Sequence, residues 1–341
     1  MTQVFFATNR CPDNQDNPKR FGKDPCAGGL DSLRFGEAEV DAAKEKLGPI
    51  FVYPEKMDAK PGRQKLGSNA AFDELRKLMM KEEADTLFYI HGFANTFESA
   101  LVRAAQIKEY YAKRSQGEGK PLNVLAFLWP SDGAVTPVFR AYADDRLDAA
   151  SSGHAIARTM LKARDFARNL APKDRCNQRI HLLAHSMGNW ALRNAMQALR
   201  QLGEDGTHQL FDQTVLAAPD DDADTLNDIG KMAPIVSLTR RLTVYYSPRD
   251  TILSGSDWTK GMPSRLGSNG PSDPHVLAEK VELVNVAPVI IEKGEPNETE
   301  HQYYRNNDKV RDDIVDVLKG LAGDDIPNRT FRPDKRYYRL G

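Results

Sequence analysis

The sequence predicts an α/β fold, a mostly parallel sheet covered by helices on both faces. Short, near-continuous apolar runs recur along the chain, and segments with helical spacing separate them from about residue 68 onward. Strands that are apolar throughout, not alternating, are those buried on both sides, as parallel strands are.

The elements follow in order. "MTQVFFATNR" opens as a strand and a turn, and residues 8–34, rich in Asn, Asp, Pro and Gly, read as a long loop or insertion. Residues 1–67 are therefore expected to be one strand plus a loop-rich extension. "FDELRKLMMKEE" has helical spacing, and "DTLFYIHG" (85–92) is a compact apolar strand ending in glycine. "ESALVRAAQIKEYYAKR" is an amphipathic helix and "LNVLAFLWP" (122–130) a buried strand. "DDRLDAASSGHAIARTMLKARDFARNL" reads as one long helix, "RIHLLAHS" as a strand and "NWALRNAMQALRQL" as a helix. "DQTVLAAP" (212–219) and "LTVYYSP" (242–248) are two more strands with a helical stretch between them. "KVELVNVAP" (280–288) is the last strand and "DKVRDDIVDVLKG" (308–320) the last helix. Residues 249–279 and 289–306 are loop-like, and the charged tail from Gly323 is expected to drape over the surface. The whole chain, 1–341, reads as one domain with its core at 68–322.

Composition narrows the function. Apolar residues at 40% and charged residues at 28% describe an ordinary soluble globular chain, and a net charge of −1 gives no field for nucleic acid. Cys11, Cys26 and Cys176 form no C-x-x-C motif and are too few for a disulfide scaffold. The N-terminus lacks the parts of a signal peptide and no apolar run could span a bilayer, so a cytoplasmic location is expected. The sequons at Asn297 and Asn328 then carry no weight. No phosphate-binding glycine motif appears, so no nucleotide cofactor is expected. His181 and His185 are four apart but lie in a strand, where that spacing spans about 13 Å, too wide to chelate one metal ion.

Chemistry concentrates at "IHLLAHSMGNW" (180–190), where Ser186 ends an apolar strand and a helix follows. A serine on a tight strand-to-helix turn is the context of a nucleophile elbow. The usual pattern is G-x-S-x-G. Gly188 supplies the second small residue, while Ala184 stands where the first glycine is usual and is tolerable if its φ is negative. In such folds the chain order is nucleophile, acid, base. Asp250, just past the strand in "VYYSPRDTIL", suits the acid, with Asp220 of "LAAPDDDAD" the alternative. A run of acids such as Asp220, Asp221, Asp222 and Asp224 more often caps a helix N-terminus. Of the seven histidines only His275 and His301 follow either candidate acid. His301, between the last strand and the last helix, is where the base belongs. An oxyanion needs two backbone N–H donors: Met187 follows the serine, and Phe93 ends the strand in "YIHGFANTFESA". Trp129, Phe139, Tyr142 and Trp258 are possible walls of an acyl or alcohol pocket. Residues 220–241 leave no room for a large cap domain between the strands they join, the sixth and seventh.

Together these segments resemble an α/β-hydrolase, and more narrowly a largely bacterial esterase/lipase-like family of unknown function. The residues that carry the likeness are "FFATNR" (5–10), "YIHGFANTFESALVRAAQ" (89–106), "FLWPSDG" (127–133), "AYADDR" (141–146), "LLAHSMGNW", "LAAPD", "YYSPRD", "RLG" (265–267) and "HQYY" (301–304). The resemblance implies Ser186, Asp250 and His301 as triad and the Phe93 and Met187 amides as oxyanion hole, and it leaves the substrate open. Read for their chemistry, these parts are expected to cleave a small-molecule carboxylic ester and to need no cofactor or metal. A thioesterase, amidase or acyltransferase would use the same parts, and a non-catalytic scaffold that binds a ligand or partner is the rival from another class.

Overall fold

The computed structural model describes residues 1–27, 29–54, 66–115, 117–204, 209–256, 264–290 and 300–341. They fall into two compact units, Met1–Glu109 with Pro121–Ile180, and Tyr110–Lys120 with His181–Gly341.

In the first unit the strands β1 (Thr2–Thr8), β4 (Arg34–Asp41), β5 (Lys46–Val52), β6 (Asp85–Ile90) and β7 (Leu122–Leu128) lie in the order β6-β7-β1-β4-β5. β6, β7 and β1 run parallel, while β4 and β5 are antiparallel additions. The parallel strands β6 and β7 are buried at every position, as their near-continuous apolar sequences require. Three findings differ from the sequence expectation in this unit. Residues 8–34 contain an antiparallel pair, β2 (Arg10–Pro12) and β3 (Phe21–Pro25), and residues 34–52 form the hairpin of β4 and β5. Gly36 sits in β4 opposite Phe6, because a Cβ there would lie 2.3 Å from the Phe6 ring. The long helix of the sequence reading is two, Val138–Ser151 and Gly153–Arg168. They part at Ser152, whose hydroxyl donates to the Asp148 carbonyl and accepts from Asn9 Nδ2.

Half-buried Asp148 has its pKa raised to about 6, by burial and then by the neighbouring Asp145, Asp24, Asp144 and Asp132. A carboxyl raised from 3.8 stabilises the fold only as the neutral acid, fully below about pH 4, and that stability is lost as pH rises through 6. We expect Asp148→Asn to raise Tm at pH 7.5 and the gain to shrink toward pH 4. Thermal melts across that range check it, and a gain equal at both ends would contradict it.

The second unit orders its strands β8 (Ile180–His185), β9 (Phe211–Ala217), β10 (Thr239–Tyr246), β11 (Val281–Asn285), β13 (Tyr337–Leu340) and β12 (Arg329–Arg332). All neighbours are parallel except β12 with β13. The tail is thus part of the sheet and not a surface drape. It is held by Arg329, whose guanidinium donates to Asp313 Oδ1 and Oδ2 at 2.7 and 2.8 Å and to Glu282 Oε2 at 2.9 Å. Between β9 and β10 the chain makes turns and one short helix, Ile235–Leu238, without a large cap. Among the described residues no helix is long and apolar enough to cross a membrane.

Candidate active site

Parallel sheets present their ligand-facing groups where strands end and loops begin. In the second unit three such ends converge. Ser186 directly follows β8, Asp250 lies four residues past β10, and His301 comes after β11. His301 Nδ1 is 2.7 Å from Asp250 Oδ2, and His301 Nε2 is 2.8 Å from Ser186 Oγ. A carboxylate only accepts, so Nδ1 carries the proton, and Nε2 accepts from the serine hydroxyl when the ring is neutral. All three residues are buried, Asp250 completely. Asp250 Oδ1 also accepts from Leu253 N at 3.1 Å, which fixes the carboxylate plane.

Ser186 has φ +52°, the left-handed conformation that a tight elbow imposes on a non-glycine residue. Neighbouring groups hold it there. Ser186 N donates to Ala217 O at 3.0 Å, and the Ser186 carbonyl accepts from Asn189 N, Asn189 Nδ2 and Asp220 N. The Asn189 amide also reaches Ala184 O at 3.1 Å, spanning the turn. Ala184 is not among the positive-φ residues, so its methyl is accommodated where glycine is usual. Met187 leads into the helix Gly188–Gln201, and the start of this helix is an electropositive end for a developing negative charge.

The competing residues lie elsewhere. Asp220 is buried against Arg265, Oδ1 to Nε 3.4 Å, and His275 is exposed with its Nε2 3.3 Å from Asp334 O. The acidic run is not a helix cap. Asp221 and Asp222 take Arg193 Nη1 at 2.7 and 2.9 Å, and Asp222 also pairs with Arg265 and Lys231. Two arginines and a lysine from separate segments need several carboxylates, which the run supplies. Asn189 and Arg265 were not assigned roles from sequence; "RLG" and the residues after the serine carried no chemical signal beyond their place in the motifs.

The first unit holds the loop of Phe93 in its own network. The Gly92 carbonyl accepts from Asn95 Nδ2 and His91 Nδ1, each at 2.9 Å, and the Phe93 carbonyl accepts from Asn95 Nδ2 at 2.8 Å. Ala94, at φ +55°, donates its N–H to Asp145 Oδ2 at 3.1 Å. Asp145 also takes the Ser131 hydroxyl and the Asp132 N–H, while Ser131 accepts from Asn95 N and Arg10 Nη2 donates to Asn95 O. Burial drops His91 to a pKa of about 3, with the Arg10 charge adding to the effect, so its ring is neutral and Nδ1–H is a fixed donor. Trp129 has no exposed surface: its ring stacks on His91 at 4.8 Å and its Nε1 donates to His91 O at 2.7 Å. It backs the loop and presents no wall to solvent. Tyr142 packs edge-on against Phe93 at 5.9 Å, Phe139 is exposed, and Trp258 lies outside the described residues.

Among solved structures the chain is similar to Aspergillus fumigatus lipase B, with 12% identity over 70% of this chain and a TM-score of 0.37. It spans about half, 53%, of the length of that lipase. No curated protein matches it. A family model described as an alpha/beta hydrolase of unknown function (DUF900) matches residues 68–318, which contain Ser186, Asp250 and His301. The chain belongs to this α/β-hydrolase family.

Proposed function

We propose that the protein is a serine hydrolase that cleaves carboxylic esters through an acyl-enzyme. The observation that carries the reading is the unbroken relay from Asp250 to His301 to Ser186, at 2.7 and 2.8 Å, ending on a serine held at positive φ. In this scheme His301 Nε2 takes the hydroxyl proton as Ser186 Oγ bonds to the ester carbonyl carbon. Asp250 orients the ring and stabilises the imidazolium. The tetrahedral oxyanion is assigned to Met187 N–H, and to Phe93 N–H as second donor. Support for Phe93 lies in its own unit, where the Gly92 carbonyl is pinned by two donors and the N–H of that peptide therefore has one orientation. Each such donor typically contributes about 3 kcal/mol to the transition state. Collapse expels the alkoxide, protonated by His301, and water repeats the sequence on the acyl-enzyme to release the acid.

Tyr142 and Phe139 are the proposed pocket walls. A cytoplasmic setting and the working of residues 1–341 as one domain belong to the same proposal. The test is a fluorophosphonate probe on purified protein, with the labelled peptide mapped. We expect one adduct, on Ser186, absent in Ser186→Ala. Folded protein that takes no label would instead be a non-catalytic scaffold. An acyl-chain series of nitrophenyl esters, beside thioester and anilide analogues, then separates esterase from thioesterase and amidase.

A further inference from the structure

The relay places demands on His301 that its ring bonds alone do not meet. A base must keep Nε2 within hydrogen-bond reach of the nucleophile, and an error of about 1 Å costs on the order of 10²-fold in rate. The helix that follows His301 is short, four residues at Tyr303–Asn306. What holds it is a set of side-chain bonds to its segment. The Tyr303 hydroxyl donates to Tyr245 O at 2.8 Å and accepts from Ala218 N at 2.9 Å, and the Tyr111 hydroxyl donates to Tyr304 O at 2.9 Å. On His301 itself acts a buried titratable residue that the reaction scheme does not use. His185 Nε2 lies 3.1 Å from the His301 carbonyl oxygen. A carbonyl only accepts, so His185 Nε2 bears the proton and donates. The His185 ring also stacks on Tyr304, with centroids 4.4 Å apart and planes at 29°, and lies 4.8 Å from the His301 ring.

His185 is the last residue of β8 and Ser186 is the next residue in the chain. The strand that carries the serine therefore also grips the backbone of the histidine. We propose that His185 is a positioning residue for the base, a buried Nε2–H donor that couples the place of His301 to the place of Ser186. This rests on the reading of Ser186 and His301 as nucleophile and base.

Two substitutions separate the bond from the packing. His185→Phe keeps a ring against Tyr304 but leaves the His301 carbonyl without this donor. His185→Gln loses the ring but returns an N–H near the Nε2 position. With p-nitrophenyl butyrate we expect His185→Phe to lower kcat by about 30- to 100-fold with KM within twofold, a size set by small misplacement of a catalytic group. We expect His185→Gln to regain at least tenfold of that loss, with thermal melts showing both variants folded. A Phe variant within threefold of wild-type kcat, or Phe and Gln variants impaired alike, would overturn the proposal. Should the Phe variant fail to fold, His185→Met replaces it as the filler that cannot donate, and the same tenfold gap to Gln decides. Ser186→Ala is measured alongside. Retained turnover there sinks the hydrolase reading and this inference with it, whereas loss of turnover there with an unaffected His185→Phe sinks the inference alone.

Discussion

Ser186→Ala is expected to reduce kcat on a nitrophenyl ester by about 10⁴- to 10⁶-fold, and His301→Ala by a similar factor, because members of a triad act as one unit. The double variant should be scarcely worse than either single one. Asp250→Asn keeps the shape of the hydrogen bond to His301 Nδ1 but favours the wrong tautomer, and should cost about 10⁴-fold. His275→Ala should leave turnover unchanged, since its ring is exposed and bonded to Asp334 O. Asp220→Asn would act differently, by loosening the Arg265 pair beneath the elbow, and should lower stability more than kcat per folded molecule. Steady-state kinetics with a melt on each variant separate these outcomes. If His301→Ala kept its rate while His275→Ala lost it, the assigned base would be wrong. Additive losses in the Ser186 and His301 double variant would argue that the two do not share a transition state.

The sheet was legible because its parallel strands carry near-continuous apolar runs, such as "LFYI", "VLAFL" and "VLA". β4 and β5 escaped because they alternate. Phe35, Ala38 and Val40 are buried in β4 while Glu37 and Glu39 are only partly so, and charged half-exposed strands blend into a polar loop. The tail escaped for a related reason. "RTFR" and "YYRL" carry as many cations as aromatics, and only the partners of Arg329 reveal why a cation belongs there. At the site, chain order and strand ends sufficed to bring Ser186, Asp250 and His301 together. Asn189, His185 and Asp145 were not legible in those roles, because each acts largely on backbone atoms. A side chain that bonds a carbonyl or an amide leaves no complementary residue type in the sequence to pair with it. Asp220 to Asp224 misled for the opposite reason, since acids before a turn resemble a helix cap until Arg193, Arg265 and Lys231 are found against them.

Arg329→Met is expected to destabilise the protein by about 3–5 kcal/mol, the usual cost of removing one partner from a buried ion pair. The Arg329 side chain is fully buried and that of Asp313 nearly so, at 0% and 1% exposure. Burial alone would lower the arginine pKa, yet the Asp313 and Glu282 charges and the Asp313 hydrogen bonds raise it above the ordinary value. Removing the guanidinium strands the Asp313 carboxylate with the Tyr245 hydroxyl, 2.5 Å away, as its remaining strong donor. The penalty should therefore come from the uncompensated charge more than from the lost packing, which methionine largely refills. Arg329→Met combined with Asp313→Asn tests that division: the neutral amide still accepts from Tyr245, and the double variant should recover much of the loss. Urea unfolding of the two single variants and the double variant gives the coupling directly. A loss below about 1 kcal/mol for Arg329→Met would match an exposed pair and restore the view of the tail as a surface drape. The consequence reaches the site through β11, which pairs with β13 on one side and β10 on the other, while Asp250 follows β10 and His301 follows β11. A variant that frees the tail should thus lose turnover in step with its loss of folded protein, with KM unchanged in the fraction that remains native.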